Sequence, residues 1–266
     1  MTSVGRTMMS TTLSFAVVFV VLVSPLHVVA QEPSPPPAYL FVIESKIASE
    51  DAGDWANAVS AMAQSHAKHP DGNSWATYSK LTGGPDETVR TFFPLDKMGN
   101  LDEWPNNRRI VTEVMGKDSA RVILSDLELA GESSERILSW SEKLSHPDVQ
   151  FRPAPYAWVV EVQVAEGQMT EYAALAQRLV EILKENRAGT WMVYGSALGG
   201  DRSTLYYFYL FDKFADVDGW PSRLDVASES LGAAEAARLL AALEAVSQTT
   251  TSLWQLEPEL SQRETR

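Results

Sequence analysis

An internal duplication is the strongest constraint on what this chain can fold into. Displaced by 116 residues, positions 75–124 match positions 191–240 without a gap, and 15 of the 50 are identical. Trp75 and Tyr78 fall on Trp191 and Tyr194, and Gly83-Gly84 falls on Gly199-Gly200. Asp96-Lys97 falls on Asp212-Lys213, and Trp104-Pro105 on Trp220-Pro221. Self-similarity at a fixed spacing means one structural unit used twice, so whatever is read for one half must also close the other.

The ends lie outside the duplication. Arg6 precedes the apolar run Leu13–Val23, and Val28-Val29-Ala30 offers small or apolar residues before Gln31. This is the pattern of an export signal over 1–30, with a mature start at Gln31 and a periplasmic or secreted destination. The run is short for a membrane span of about 20 residues, so no stable membrane anchor is expected after cleavage. Residues 31–38 are proline-rich and read as an extended tether, and 263–266 as a tail. The 266 residues carry a net charge of −13, which disfavours nucleic acid as a partner because phosphate contacts need a basic surface. With no cysteine, disulfides, thiolate nucleophiles and Cys-ligated metals are excluded.

Each half shows the same order of patterns. Tyr39–Ile47 and Tyr156–Val164 are β-branched and aromatic runs, read as first strands. Asp54–Lys68 and Thr170–Asn186 carry apolar residues at helical spacing. Two strands follow through each glycine pair, about 74–82 with 87–95 and 190–198 with 203–211, then helical stretches at about 100–130 and 215–246. Asn100 with Glu103 has capping-box spacing, Asp216 takes the cap position in the second half, and Gly116 and Gly232 divide each stretch into two helices. Closing strands are expected near Arg136–Lys143 and Thr250–Glu257. The fold class is therefore α+β: two tandem ferredoxin-like βαββαβ repeats, 39–145 and 156–262, joined by a stiff connector at 146–155. Helices cover one face of each sheet, and the other faces pack sheet on sheet as an intramolecular α/β barrel.

On this element order, on the duplication and on the strand–Asp-x-Trp–helix junction, the chain resembles the dimeric α/β-barrel superfamily over roughly 38–262. That superfamily includes antibiotic-biosynthesis-type monooxygenases, NIPSNAP-like proteins and the chlorite dismutase group. The resemblance implies the barrel fold. It implies no haem: the chlorite dismutase and dye-decolourising groups take their axial histidine from a helix of the second repeat, and residues 156–266 contain no histidine. Haem-degrading members place one on the helix after the third strand, and residues 100–130 contain none either. No cofactor and no metal site is expected. His66 and His69 share a helical stripe, but the second half has Leu183 and Asn186 there, which marks packing positions. The sequence holds no serine-hydrolase elbow, P-loop or dinucleotide fingerprint.

Strand alternation supplies the candidate site. If the apolar faces of the first strands lie under the helices, Glu44 and Glu161 point between the sheets. There they would join Tyr78 and Tyr194 of the second strands and Arg90, Tyr206, Tyr207 and Tyr209 of the third. A carboxylate of raised pKa in such a cavity could act as a base. Trp104 and Trp220 anchor the following helices or floor a pocket. Three functions remain open: a module binding a small aromatic or apolar molecule between the sheets; a cofactor-independent monooxygenase-like enzyme for a phenolic substrate, with Glu44 or Glu161 as base; or a non-catalytic barrel with a protein-contact role. Further oligomerisation is left open.

Overall fold

The computed structural model describes residues 34–82, 87–184 and 190–262. The expected signal at 1–30, the first part of the tether, the Gly83-Gly84 turn, the helix end at Asn186 and the tail lie outside them.

The first repeat runs β1 (Tyr39–Ile47), α1 (Ala52–Lys68), β2 (Ala76–Lys80), β3 (Glu87–Leu95), α2 (Asn107–Met115), α3 (Lys117–Leu127) and β4 (Ala130–Trp140). The second runs β5 (Tyr156–Val164), α4 (Met169–Leu183), β6 (Met192–Leu198), β7 (Thr204–Phe211), a one-turn α5 (Ala215–Asp218), α6 (Arg223–Leu231), α7 (Ala233–Val246) and β8 (Ser247–Leu256). Both first strands have the limits read from the sequence, because long β-branched and aromatic runs alternate faces without interruption. The glycine breaks are present too: Gly116 and Gly232 both have φ near +83°, which ends one helix and starts the next at little steric cost.

Within each repeat the strands take the ferredoxin-like order β4-β1-β3-β2 or β8-β5-β7-β6. The sheets do more than stack. Strand β2 hydrogen-bonds to β8 and β4 to β6, which closes an eight-stranded antiparallel barrel with no open sheet margin along those pairs. This is the α+β barrel the sequence pattern implied.

The repeats also clasp each other reciprocally. The segment leaving β4 is pinned to the second repeat: Trp191 Nε1 donates to the Leu144 carbonyl at 2.8 Å, and the Val193 N–H donates to Ser145 Oγ at 2.9 Å. The segment leaving β8 is pinned to the first repeat by the equivalent pair: Trp75 Nε1 to the Leu260 carbonyl at 2.8 Å, and the Thr77 N–H to Ser261 Oγ at 2.9 Å. The segments entering the repeats cross in the same way. Tyr78 Oη donates to the Ala154 carbonyl at 3.0 Å, and Tyr194 Oη donates to the Pro37 carbonyl at 3.1 Å. The recurrence of Trp75/Trp191 and Tyr78/Tyr194 thus has a structural cause: each satisfies buried backbone carbonyls of a connecting segment.

Three local expectations are corrected. Asn100 and Asp216 do not cap long helices; each carboxyl or amide oxygen accepts the backbone N–H of the preceding Lys97 or Lys213 in a tight turn. The helix caps are Asn106 and Ser222, which accept from the N–H groups of Arg109 and Asp225. Pro105 and Pro221 consequently stand immediately before the caps. The closing strands begin earlier than their apolar residues indicate, since the first halves of β4 and β8 are polar and exposed.

Candidate functional site

The barrel interior is a packed core. Leu40, Val42, Tyr78 and Leu138 from the first repeat meet Ala157, Val159, Tyr194, Tyr206, Phe208 and Trp254 from the second. Phe151 and Ala154 of the connector close one end, where a void of about 40 Å³ remains. That is room for about one or two waters, far below the roughly 300 Å³ at which ligand pockets begin.

Glu44 and Glu161 do point inward, as alternation required, and both are occupied. Arg90 Nε donates to Glu44 at 2.5 Å and its Nη2 to Glu161 at 2.6 Å. The guanidinium lies 4.4 Å from the ring centre of Trp254. Arg136 approaches Glu44 at 3.7 Å and donates to Tyr206 Oη at 2.8 Å. For Glu44, burial pushes the pKa up, but the neighbouring Arg90, Arg136 and Lys80 charges outweigh it and hold the carboxyl below its usual range. The raised-pKa base expected at this position is therefore replaced by an ion-paired carboxylate.

The other candidates divide by strand parity. Tyr206 lies inside the barrel, but Tyr207, its neighbour on β7, faces the helices and shares a 2.8 Å hydroxyl contact with Tyr172. Tyr207 and Tyr209 thus leave the inter-sheet group for the helix side, because successive strand residues take opposite faces. Trp104 and Trp220 are likewise on the helix side, against Phe93 and Tyr209 respectively. His66 is buried edge-on to Trp75, and His69 Nε2 lies 2.9 Å from Glu113 Oε2. Among the described residues no cluster of three or more His, Asp or Glu is placed to hold a metal.

Larger open volumes lie outside the barrel: a polar groove of about 730 Å³ along Gln163–Gly167 and Asp201–Ser203, and two adjoining cavities between the second repeat's sheet and α4, α6 and α7. One cavity of about 410 Å³ is lined by Tyr172, Leu179, Leu183, Trp191, Tyr207, Tyr209, Arg223, Leu240 and Leu243, with Glu244 at its rim. A second, of about 280 Å³, continues along Trp158, Trp191, Tyr209, Trp220 and Arg223. Their shared walls are Leu183, Trp191, Tyr209 and Arg223. The rings of Trp158 and Trp220 are parallel within 2°, with centroids 6.3 Å apart. Arg223 is exposed at the cavity's edge, and its Nη2 donates to Tyr209 Oη at 2.8 Å. Burial raises the pKa of both Tyr172 and Tyr207, so these hydroxyls stay protonated.

The first repeat uses the same scaffold to make a filled wall. Phe41, Phe93 and Trp104 replace Trp158, Tyr209 and Trp220, and pack with centroid separations of 5.0–5.8 Å. Trp75 joins them at 5.7 Å from Phe93, and His66 stands where the second repeat has Leu183. Arg223 has Asn107 as its counterpart. Sequence reading included Trp220, placed Tyr209 between the sheets instead of on the helix side, and missed Arg223. The available signal was the asymmetry itself: an arginine and a tyrosine where the duplicate has asparagine and phenylalanine.

No family model matches this chain, and no curated protein matches it. Solved structures do. A monooxygenase-like protein of Fusobacterium nucleatum subsp. nucleatum superposes with a TM-score of 0.48 at 8% identity, covering 84% of this chain and 94% of that one. An anthrone oxidase-like protein gives 0.45 at 12% identity, covering 83% and 92%. Chlorite dismutase from Candidatus Nitrospira defluvii gives 0.44 at 12% identity, covering 85% and 93%. At such identities the chemistry of this chain rests on its own side chains.

Proposed function

We propose that this protein is a binding module that takes up one small aromatic molecule between the sheet and helices of its second repeat. The observation that carries this reading is the pair of adjoining cavities, about 410 and 280 Å³, walled by Trp158, Trp191, Trp220 and Tyr209 in one repeat. Ligand pockets are apolar and aromatic concavities of this size with a few polar groups. The ligand expected between the sheets is moved to the helix side because the barrel interior leaves about 40 Å³.

Binding is favoured over catalysis by the chemistry of the lining. Glu44 and Glu161 are committed to Arg90, and the cavity's inner wall offers the Tyr172 and Tyr207 hydroxyls, whose pKa values burial raises, rather than a base. The export-like residues at 1–30 support assigning the module to the periplasm or the exterior. Native mass spectrometry of the protein from its own source tests the reading. One small aromatic molecule per chain, lost in Leu243→Trp, is the expected result. A ligand retained at full occupancy in that filled-cavity variant would contradict it.

A further inference from the structure

The cavity holds a positive charge, Arg223, that no carboxylate among the described residues neutralises. Arg223 donates to a neutral phenol, Tyr209 Oη, at 2.8 Å, and among the described residues no carboxylate forms an ion pair with it. Glu244, on the rim, is exposed and forms no ion pair with Arg223. Several other arginines of the fold do hold carboxylates. Arg90 holds two glutamates, Arg152 grips Asp212 through two contacts at 2.7–2.8 Å, and Arg109 holds Asp71 at 2.7 Å.

Hydrogen-bond direction adds to this. Because Arg223 donates to Tyr209, the tyrosine's own proton is left to donate away from the arginine. In the Tyr172–Tyr207 pair one hydroxyl donates to the other, and the accepting one keeps its proton for a third group. The polar side of the cavity therefore presents donors: the remaining guanidinium N–H groups and outward hydroxyl protons. Trp158, Trp191 and Trp220 pack beside Tyr209, 5.7–6.2 Å between ring centres, and line the same space. The duplicate shows that closing the junction needs no cation here, since Asn107 serves the same place in the first repeat.

We infer that the ligand is an aromatic anion, a planar ring bearing a carboxylate, whose charged oxygens are received by Arg223 and Tyr209 while the ring lies against the tryptophans. This rests on the binding reading above and narrows it to one chemical class. The step from neutral to charged ligand gains a charge-assisted hydrogen bond in a partly desolvated site.

The test is a titration of the full chain, followed by tryptophan fluorescence and calorimetry, with 2-naphthoate and its neutral isostere 2-naphthamide. Wild-type protein should bind naphthoate at least tenfold more tightly than naphthamide, in line with the strength of charge-assisted bonds. Arg223→Gln should remove that preference, weakening naphthoate far more than naphthamide, and Arg223→Lys should keep part of it. Equal affinity for the two compounds in wild-type protein would overturn the anion inference while leaving the cavity as a binding site. Binding of neither would overturn both. The wild-type comparison decides the matter even if Arg223→Gln fails to fold.

Discussion

Arg90 reaches across the barrel to Glu161 of the other repeat, at 2.6 Å, while its Nε holds Glu44 of its own. The duplication supplies Glu44 and Glu161 as equivalents, yet the position matching Arg90 is Tyr206. One arginine thus serves two carboxylates, and the pair that looked like a reactive site is a joint between the repeats. Removing only the arginine leaves two inward carboxylates facing each other. Arg90→Met should cost about 2–4 kcal/mol, below the full penalty for a broken buried pair because both glutamates are partly exposed. Urea unfolding measures this, and Arg90→Met combined with Glu44→Gln and Glu161→Gln should recover most of the loss.

Tyr78 and Tyr194 should behave as structural clasps. Tyr78 Oη donates to the Ala154 carbonyl and accepts from the Ala154 N–H at 3.2 Å, whereas Tyr194 Oη donates to the Pro37 carbonyl. Each phenylalanine substitution leaves a buried carbonyl short of a donor, at about 1–2 kcal/mol. Tyr78→Phe should be the more costly of the two. Denaturation curves check the order, and neither change should alter affinity for 2-naphthoate.

His66 sets an acid limit on stability. Burial, with the charge of His69 beside it, lowers its pKa from 6.5 to about 4. A histidine kept neutral by the fold binds its proton more readily when unfolded, so stability is complete above pH 6.5 and falls as the pH drops toward 4. The span corresponds to about 3 kcal/mol at most. Stability measured from pH 7 to 4 should decline less steeply in His66→Leu, the residue that the second repeat carries as Leu183.

Trp104 and Trp220 are equivalent in sequence and should separate in experiment. Trp104 is packed edge-on to Phe41 and Phe93, at 5.4 and 5.0 Å, so Trp104→Leu should lower stability by about 2–4 kcal/mol and leave ligand affinity unchanged. Trp220 borders open volume. Trp220→Leu should weaken 2-naphthoate binding at least severalfold with a smaller loss of stability. Calorimetric titration beside thermal unfolding distinguishes the two.

Much of this fold was legible because its signals are local. Alternating β-branched residues bounded β1 and β5, and the duplication made Gly116 and Gly232 stand out as paired breaks. Alternation also sent Glu44 and Glu161 inward correctly. It was applied unevenly on β7, where Tyr206 and Tyr207 are neighbours and cannot share a face. The rest depended on contacts between residues far apart in the chain. That Arg90 spans both carboxylates follows from the barrel's closure and register, which no window of sequence carries. The cavity was hidden for a related reason: it is empty space between the second repeat's sheet and helices, and empty space has no motif.

The most direct measurement is a crystal structure of the protein grown with 2-naphthoate. The account expects the ring between the second repeat's sheet and helices, beside Trp158 and Trp220, with its carboxylate on Arg223 and Tyr209. A ring seated inside the barrel beside Glu44 and Glu161, or a helix–sheet cavity that stays empty at saturating ligand, would contradict it.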